Sequence, residues 1–456
     1  MILSPSEPTR VLVPVGMLGS GIDPEVIERG IGCGAHAIAV DAGSTDPGPY
    51  YLGDGKPRNN DEIIRRDLRL MILPALAAGI PVIVGSCGTS GLDSGVDATA
   101  ALVEQILQEA GREATVARVY SQQDPKVLAD RNAGGGIHPL RPEIPLDSEL
   151  IAQCSNIVGV MGHEPLVAAL SGGADIVLAG RTSDAAVIAS VPLWYGKHAG
   201  ASWHAGKIAE CGALCTTDPR SGGVLISVDN HGFEVEPLSD SARCTPRTVA
   251  AHMLYENANP FELVEPTGVL DVRAASYSAV TDRKVRVVGS QFHQRPQATM
   301  KLEGATLVGH TAMIISGIRD PKLLNRIDEW DIMLREMVTG LASSIHLLEP
   351  HEFSVQTRLY GHNAVLGTRD RSNVPHEVGV VLTITAPTQH NAVALAQSAG
   401  KLMLHLPLPD MTSLPSFALR TSPSTISTGP LYEFSLNHVV DLAHPTELTR
   451  TAWSSR

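Results

Sequence analysis

The feature that most constrains this chain is an alternation in its first 180 residues. Short apolar runs rich in β-branched residues recur there: "RVLVPV" (10–15), "AHAIAV" (35–40), "IPVIVG" (80–85), "ATVARVY" (114–120), "NIVGVMG" (156–162) and "ADIVLAG" (174–180). Helix-like segments lie between most of them. Residues 61–79 carry apolar positions at helical spacing and end on glycine. Residues 93–111 start on an Asp or Ser cap and also end on glycine. Continuous apolar strands alternating with helices predict a parallel sheet covered on both faces.

After about residue 220 the pattern changes. "GGVLISVDNHGFEVEPL" and "GVLDVRAASYSAVTDRKVRVVGS" each read as paired strands, turning at "DNHG" and "TDRK". A strand-rich run, "KLEGATLVGHTAMIISG", precedes a helix over 320–342 with Asp320 as cap and Pro321 in its first turn. "VGVVLTITAPTQHNAVALAQSAGKLMLHL" reads as strand then helix. The expected fold class is therefore α/β: a doubly wound parallel-sheet domain over 1–220, a smaller α+β domain over 221–405, and a Ser/Pro-rich linker and tail over 406–456.

Composition narrows the function classes. The 456 residues carry 48 acidic and 35 basic side chains, a net charge of −13. That argues against nucleic acid, whose phosphates need a basic surface. A local Arg or helix N-terminus can still hold one anionic group. No apolar run reaches the length of about 18 residues that a membrane span needs. The opening "MILSPSEPTR" lacks a signal-peptide pattern, and six scattered cysteines do not make a disulfide scaffold. A cytoplasmic homo-oligomer with a small-molecule substrate is expected, with neither nucleic acid nor membrane as partner.

In a parallel α/β sheet, ligands bind beyond the carboxyl ends of the strands. The six runs end in "GMLGSG" (16–21), "DAGSTDPG" (41–48), "GSCGTSG" (85–91), "SQQD" (121–124), "GHEP" (162–165) and "GRTSDA" (180–185). Arg181 offers a planar fork for a carboxylate or phosphate. Ser183 and Asp184 are placed to cap the next helix and orient Arg181. His163 titrates near neutrality and suits acid–base work, and Asp41 at its strand end is the alternative proton carrier. Ser44, Asp46, Ser86 and Thr89 add polar groups to the same face. Cys87, between glycines, is either a nucleophile or a small buried residue.

Other motifs carry less. Gly16, Gly19 and Gly21 give GxxGxG, not the dinucleotide fingerprint, although Asp41 stands where its acidic residue falls. "DAGST" alone does not make an ATPase phosphate loop. "GGGIHP" (134–139) reads as a mobile lid carrying His138. "ECGALC" holds Cys211 and Cys215, but two cysteines alone do not make a zinc site. Nothing in the spacing of Asp41, Asp46, His163 and Glu164 demands a metal, and no cofactor is expected.

"GGADIVLAGRTSDAAV", "FELVEPTGVLDV", "KLEGATLVGHTAMIISGIRDP" and the helix containing "IDEW" together resemble the acyclic terpene utilisation protein A (AtuA-like) family, over about residues 10–400. The resemblance implies an α/β N-terminal domain followed by a smaller ferredoxin-like domain. It also implies catabolism of branched terpenoid acids processed as acyl-CoA thioesters. Members are often encoded beside a small partner protein, which the tail "STGPLYEFSLNHVV" weakly resembles. "GHTAMII" departs from the family, where a tyrosine–arginine pair is common.

The expected activity is that of a lyase or hydratase acting on a small carboxylate or its acyl-CoA thioester. Arg181 would hold the acid. His163 or Asp41, with Asp184, would move the proton alpha to the carbonyl. Ser44, Ser86 and Thr89 would orient an oxyanion. A hydrolase or thioesterase using Cys87 or Ser86, and a non-catalytic subunit that needs a partner chain, are the alternatives.

Overall fold

The computed structural model describes residues 7–344, 348–367 and 374–455; the first six residues of the segment read as lacking a secretion signal lie outside that range. The chain divides into two compact units. One comprises residues 1–306 with 434–456, and the other residues 307–433.

Nine strands open the first unit: β1 (Thr9–Val13), β2 (Ala37–Asp41), β3 (Val82–Gly85), β4 (Thr115–Tyr120), β5 (Ile137–Pro139), β6 (Cys154–Val160), β7 (Ile176–Ala179), β8 (Val224–Val228) and β9 (Gly232–Pro237). Five of them form a parallel core in the order β1-β2-β3-β7-β4. Their alternate residues feed two separate cores. Leu12, Ile38 and Val40 lie on one face, under the helices Pro24–Gly32 and Asp61–Ala78, and Asp93–Ala110 covers β4 and β7 on the same face. Val11, Val13, Ala37 and Ala39 pack on the other against Asp184–Trp194, and Ala199–Ala209 packs against that helix. The helix Asp184–Trp194 is apolar almost all round because it lies between sheet and helix.

The helix ends follow local chemistry. Asn60 caps Asp61–Ala78 by accepting from the Glu62 amide, and Gly79 closes it at φ +67°. Asp93–Ala110 starts differently from expectation. Leu92 is the cap, and Asp93 sits in the first turn, where its charge favours the helix dipole.

Three expectations need correction. First, the sheet does not stop near residue 220. β8 pairs antiparallel with β1, and β9 continues through Val285–Val288 to Ser276–Ala279, giving ten strands in all. The change from parallel to antiparallel patterning lies inside one sheet, not at a domain boundary. Second, the apolar run at 156–162 is not a strand of the parallel core, which it joins only through single bridges from Val158 to Gln122 and from Met161 to Thr182. β6 pairs antiparallel with the first part of the long strand Ala298–Ile318, from Lys301 to Thr306. Third, the tail is not a linker throughout. Arg450–Ser455 is the edge strand beside β4, and Val440 and Leu442 are buried in the core.

In the second unit, residues 310–318 pair antiparallel with Val378–Ala386, which pairs in turn with Ser354–Tyr360. The helices Ile327–Ser344 and Gln389–Met403 contribute Trp330, Leu334, Leu395 and Ala399 to its core. Asp320 is the cap as expected, but the helix expected over 320–342 is two, Pro321–Leu324 and Ile327–Ser344. Among the described residues, no helix is long and apolar enough to cross a membrane.

Candidate functional site

A cavity of about 550 Å³ opens in the first unit beside the carboxyl end of β7. Arg181, Ser183, Asp184 and Asp46 line it, so four of the ten residues singled out in the sequence meet there. Two glycines hold this wall together. Gly91, at φ +70°, lets the loop after β3 lie against the Arg181 backbone; a Cβ would fall 2.2 Å from the Arg181 nitrogen. Gly206 lets Ala199–Ala209 approach Asp184–Trp194; a Cβ would fall 2.4 Å from the Ala185 carbonyl oxygen. That approach brings Lys207 and Glu210 onto the cavity opposite Asp184.

Arg181 is a structural hub as much as a clamp. Its Nε donates to Glu303 Oε2 at 3.1 Å, and its Nη1 donates to Asp184 Oδ1 at 3.0 Å, the Thr182 carbonyl at 2.9 Å and Ser86 Oγ at 3.3 Å. Burial opposes its charge, but Glu303, Asp184 and Asp41 outweigh burial and raise its pKa. Among the described residues Nη2 has no hydrogen-bond partner, which leaves one arm of the fork for a ligand. Burial also works against Glu303, yet Arg181 and Lys301 hold its carboxyl down at about 2. Thr45 Oγ1 adds a hydrogen bond to it at 3.1 Å.

The remaining expected residues scatter. Asp41 lies behind Arg181, outside the cavity lining; its Oδ2 accepts from the Gly43 amide at 2.9 Å. Burial, then the charge of Asp184, push its carboxyl well above the usual range, while Arg181 pulls the other way. Ser86 touches Arg181 from the same side, at φ +49°. Ser44 donates to Asp46 at 3.0 Å. Thr89, at φ +78°, accepts from the Arg58 amide and lines a separate cavity of about 130 Å³.

His163 does not reach the large cavity. It begins the helix Glu164–Ser171, and its ring meets Trp203 edge-on at 5.5 Å. Its Nδ1 is buried without a hydrogen-bond partner, and burial lowers its pKa despite Glu164. The chain just past β6 still bridges the "GRTSDA" loop, Met161 to Thr182, but the imidazole turns onto Trp203 rather than into the cavity. His138, expected on a lid, instead pairs with Asp441 at 2.9 Å.

Cys87 is not placed as a nucleophile. It is fully buried on the face of the sheet that carries Leu12, Ile38 and Val40, and burial pushes its thiol up to about 12. Iodoacetamide on the native protein is therefore expected to label exposed Cys33 and leave Cys87 unmodified until denaturant is added. Peptide mass spectrometry checks this, and native labelling of Cys87 would restore the thiol to consideration.

The cavity's chemistry comes largely from residues that the sequence reading did not single out. Seven carboxylates, among them Glu210, Glu265 and Glu303, face three cations, Arg181, Lys207 and Lys301. Ser183 Oγ donates to Glu265 Oε2 at 2.8 Å. Burial pushes the Glu265 carboxyl up to about 7, even with Ser183 and Lys207 favouring its ionised form. Glu210 pairs with Lys207, and burial pushes it to about 8. A clue to this pair lies in "WHAGKIAEC", where Lys207 and Glu210 stand at i and i+3 in an otherwise apolar helix. Charges so placed are seldom buried unless paired. Exposed Leu254, Tyr255, Phe261 and Val264 mark the segment that forms one wall.

With this geometry in view, the chain matches the family described as acyclic terpene utilisation family protein AtuA over residues 61–425. The match spans most of the chain, and the protein belongs to that family. No curated protein and no solved structure matches it.

Proposed function

We propose that the protein is a lyase or hydratase that acts on a small acid, or its acyl-CoA thioester, by proton transfer in the cavity beside Arg181. The observation that carries the reading is Glu265. It is a cavity carboxyl pushed up to about 7, so both protonation states are populated at neutral pH. It abstracts the proton alpha to the carbonyl and returns it during addition or elimination. Arg181 Nη2 and Lys207 are the cations that meet the developing negative charge at the carbonyl oxygen. Asp184 and Glu303 hold Arg181 in place rather than move the proton.

The cavity also selects by charge. Seven carboxylates against three cations disfavour a polyanionic group inside. The substrate enters with one acidic or carbonyl head, and the nucleotide end of a thioester stays outside. Leu140, Val160, Leu263, Val264 and Val439 line the remainder, which suits a hydrocarbon chain. In the second unit, the order of the strands containing residues 354–360, 378–386, 310–318 and 425–433 supports reading that unit as ferredoxin-like.

The test is solvent exchange. The protein is incubated in D2O with linear and branched acids and their CoA thioesters, and each compound is followed by mass spectrometry. Enzyme-dependent deuteration alpha to the carbonyl, or gain or loss of water, is expected for at least one apolar-tailed compound. A folded protein that exchanges and converts none of them would overturn the reading.

A further inference from the structure

We infer that Glu210, Cys211 and His252 form a binding site for a divalent cation of the zinc class. A Glu210 carboxylate oxygen, Cys211 Sγ and a ring nitrogen of His252 all lie within 4.8 Å of one another. Among the described residues this is the group of three or more such side chains that meets that spacing. The quartet considered from sequence, Asp41, Asp46, His163 and Glu164, does not.

Three features make this a built site rather than a chance cluster. His252 is 4 % exposed, and its Nε2 is buried without a hydrogen-bond partner. An imidazole nitrogen buried in that condition loses the hydrogen bond it had in water, and a metal bond replaces it. The ring is also held in orientation, stacked at 5.7 Å and 20° on Tyr255. The ligands come from two elements whose ends meet: Glu210 and Cys211 follow the helix Ala199–Ala209, and His252 ends the helix Pro246–His252.

Ligand type selects the ion. Thiolate and imidazole disfavour Mg²⁺ and Ca²⁺ and suit Zn²⁺ or Co²⁺. An ion with bonds of about 2.0–2.3 Å draws its ligand atoms to within about 4 Å of one another. Side-chain adjustment supplies that step from the observed spacing. Three protein ligands leave a fourth position for water or a ligand, and because Glu210 lines the large cavity, the ion sits at the cavity wall. Lys207 is the competitor, since its ammonium pairs with Glu210 in the absence of a metal. Cys215, which with Cys211 alone did not make a zinc site in the sequence, is fully buried and not in the trio.

The site goes beyond the proton-transfer reading and is tested without turnover. Chelator-treated full-length protein is titrated with Co²⁺ and followed by near-ultraviolet and visible absorption. One equivalent per chain is expected, with a thiolate-to-cobalt charge-transfer band that Zn²⁺ abolishes by displacement. Cys211→Ser removes the band. His252→Gln weakens binding by more than the roughly 10–100-fold that losing an outer-shell partner costs. Lys207→Met tightens it by removing the competing cation. Absence of the charge-transfer band in the folded wild-type protein would overturn the site, as would its persistence in Cys211→Ser. The wild-type spectrum decides even if a variant fails to fold. Glu265→Gln keeps the cobalt spectrum while losing exchange, so the two readings fail separately.

Discussion

Arg181→Ala is expected to destabilise the protein by about 3–5 kcal/mol, the usual cost of removing one partner from a buried ion pair. The guanidinium answers Glu303 and Asp184 directly and lies near Asp41. Alanine leaves those carboxylates facing one another with too little positive charge: Lys301 answers only Glu303, and Lys207 reaches Asp184 only through space. Arg181→Lys keeps a charge but loses the fork that reaches both carboxylates, so its loss is smaller.

The pH dependence has a definite sign. In the native protein Glu303 is held at about 2, below its ordinary 4.5. A depressed carboxyl contributes stability above its unfolded pKa and loses it as pH falls through the folded value. The gap between wild type and Arg181→Ala is therefore widest above about pH 5 and narrows as pH falls from 4.5 toward 2. Urea titrations at several pH values measure it. A loss below about 1 kcal/mol at pH 7 is the signature of a screened surface pair. It would mean that Arg181 is solvated and free to serve only a ligand.

Glu265→Gln is expected to lower turnover by about 10²–10⁴, the span that a positioned acid–base group contributes, while the fold and substrate binding persist. Glutamine keeps the acceptor for Ser183 and removes only the titration. In wild type the exchange rate rises with pH through about 7 as the base ionises, and the variant lacks that limb. Stability moves the opposite way. A carboxyl raised from 4.5 to about 7 favours folding in its neutral form and costs stability as pH climbs through that window. The variant escapes this cost, so its melting temperature relative to wild type is higher at pH 8 than at pH 5. A purely structural role for Glu265 would give the reverse, a variant less stable at every pH with activity lost in proportion.

The parallel core was legible because its strands are buried on both faces and read as continuous apolar runs. Residues 37–41, 82–85, 115–120 and 176–179 lie close to where those runs fall. The same signal misassigned "NIVGVMG". An apolar run reports that a strand is buried, not which strand it pairs with, and β6 pairs with residues 301–306. His163 stays near the strand-end loops, where Met161 bridges Thr182, but its ring packs on Trp203, a contact that no local pattern reports. Arg181, Ser183, Asp184 and Asp46 were found because a βα loop is local in sequence, and its position at the strand end follows from topology.

Glu265 and Glu303 were not found because they come from residues beyond 220, read as a separate domain. Their approach to Arg181 depends on long-range pairing. One local cue did exist for Glu303: a carboxylate set in the strand-like run "MKLEGATLV" needs a cation if it is buried; it is 4 % exposed, and Arg181 supplies the cation.

Proton transfer in the cavity requires one carboxyl, that of Glu265, to be poised at neutrality. The direct measurement is a titration of wild-type protein carrying ¹³C-labelled glutamate side chains, with the Glu265→Gln spectrum subtracted to assign the Glu265 resonance. A midpoint near 7 is expected. A midpoint near the ordinary 4.5 would mean an ionised, well-solvated carboxylate at neutral pH, and would contradict Glu265 as the proton-transfer group.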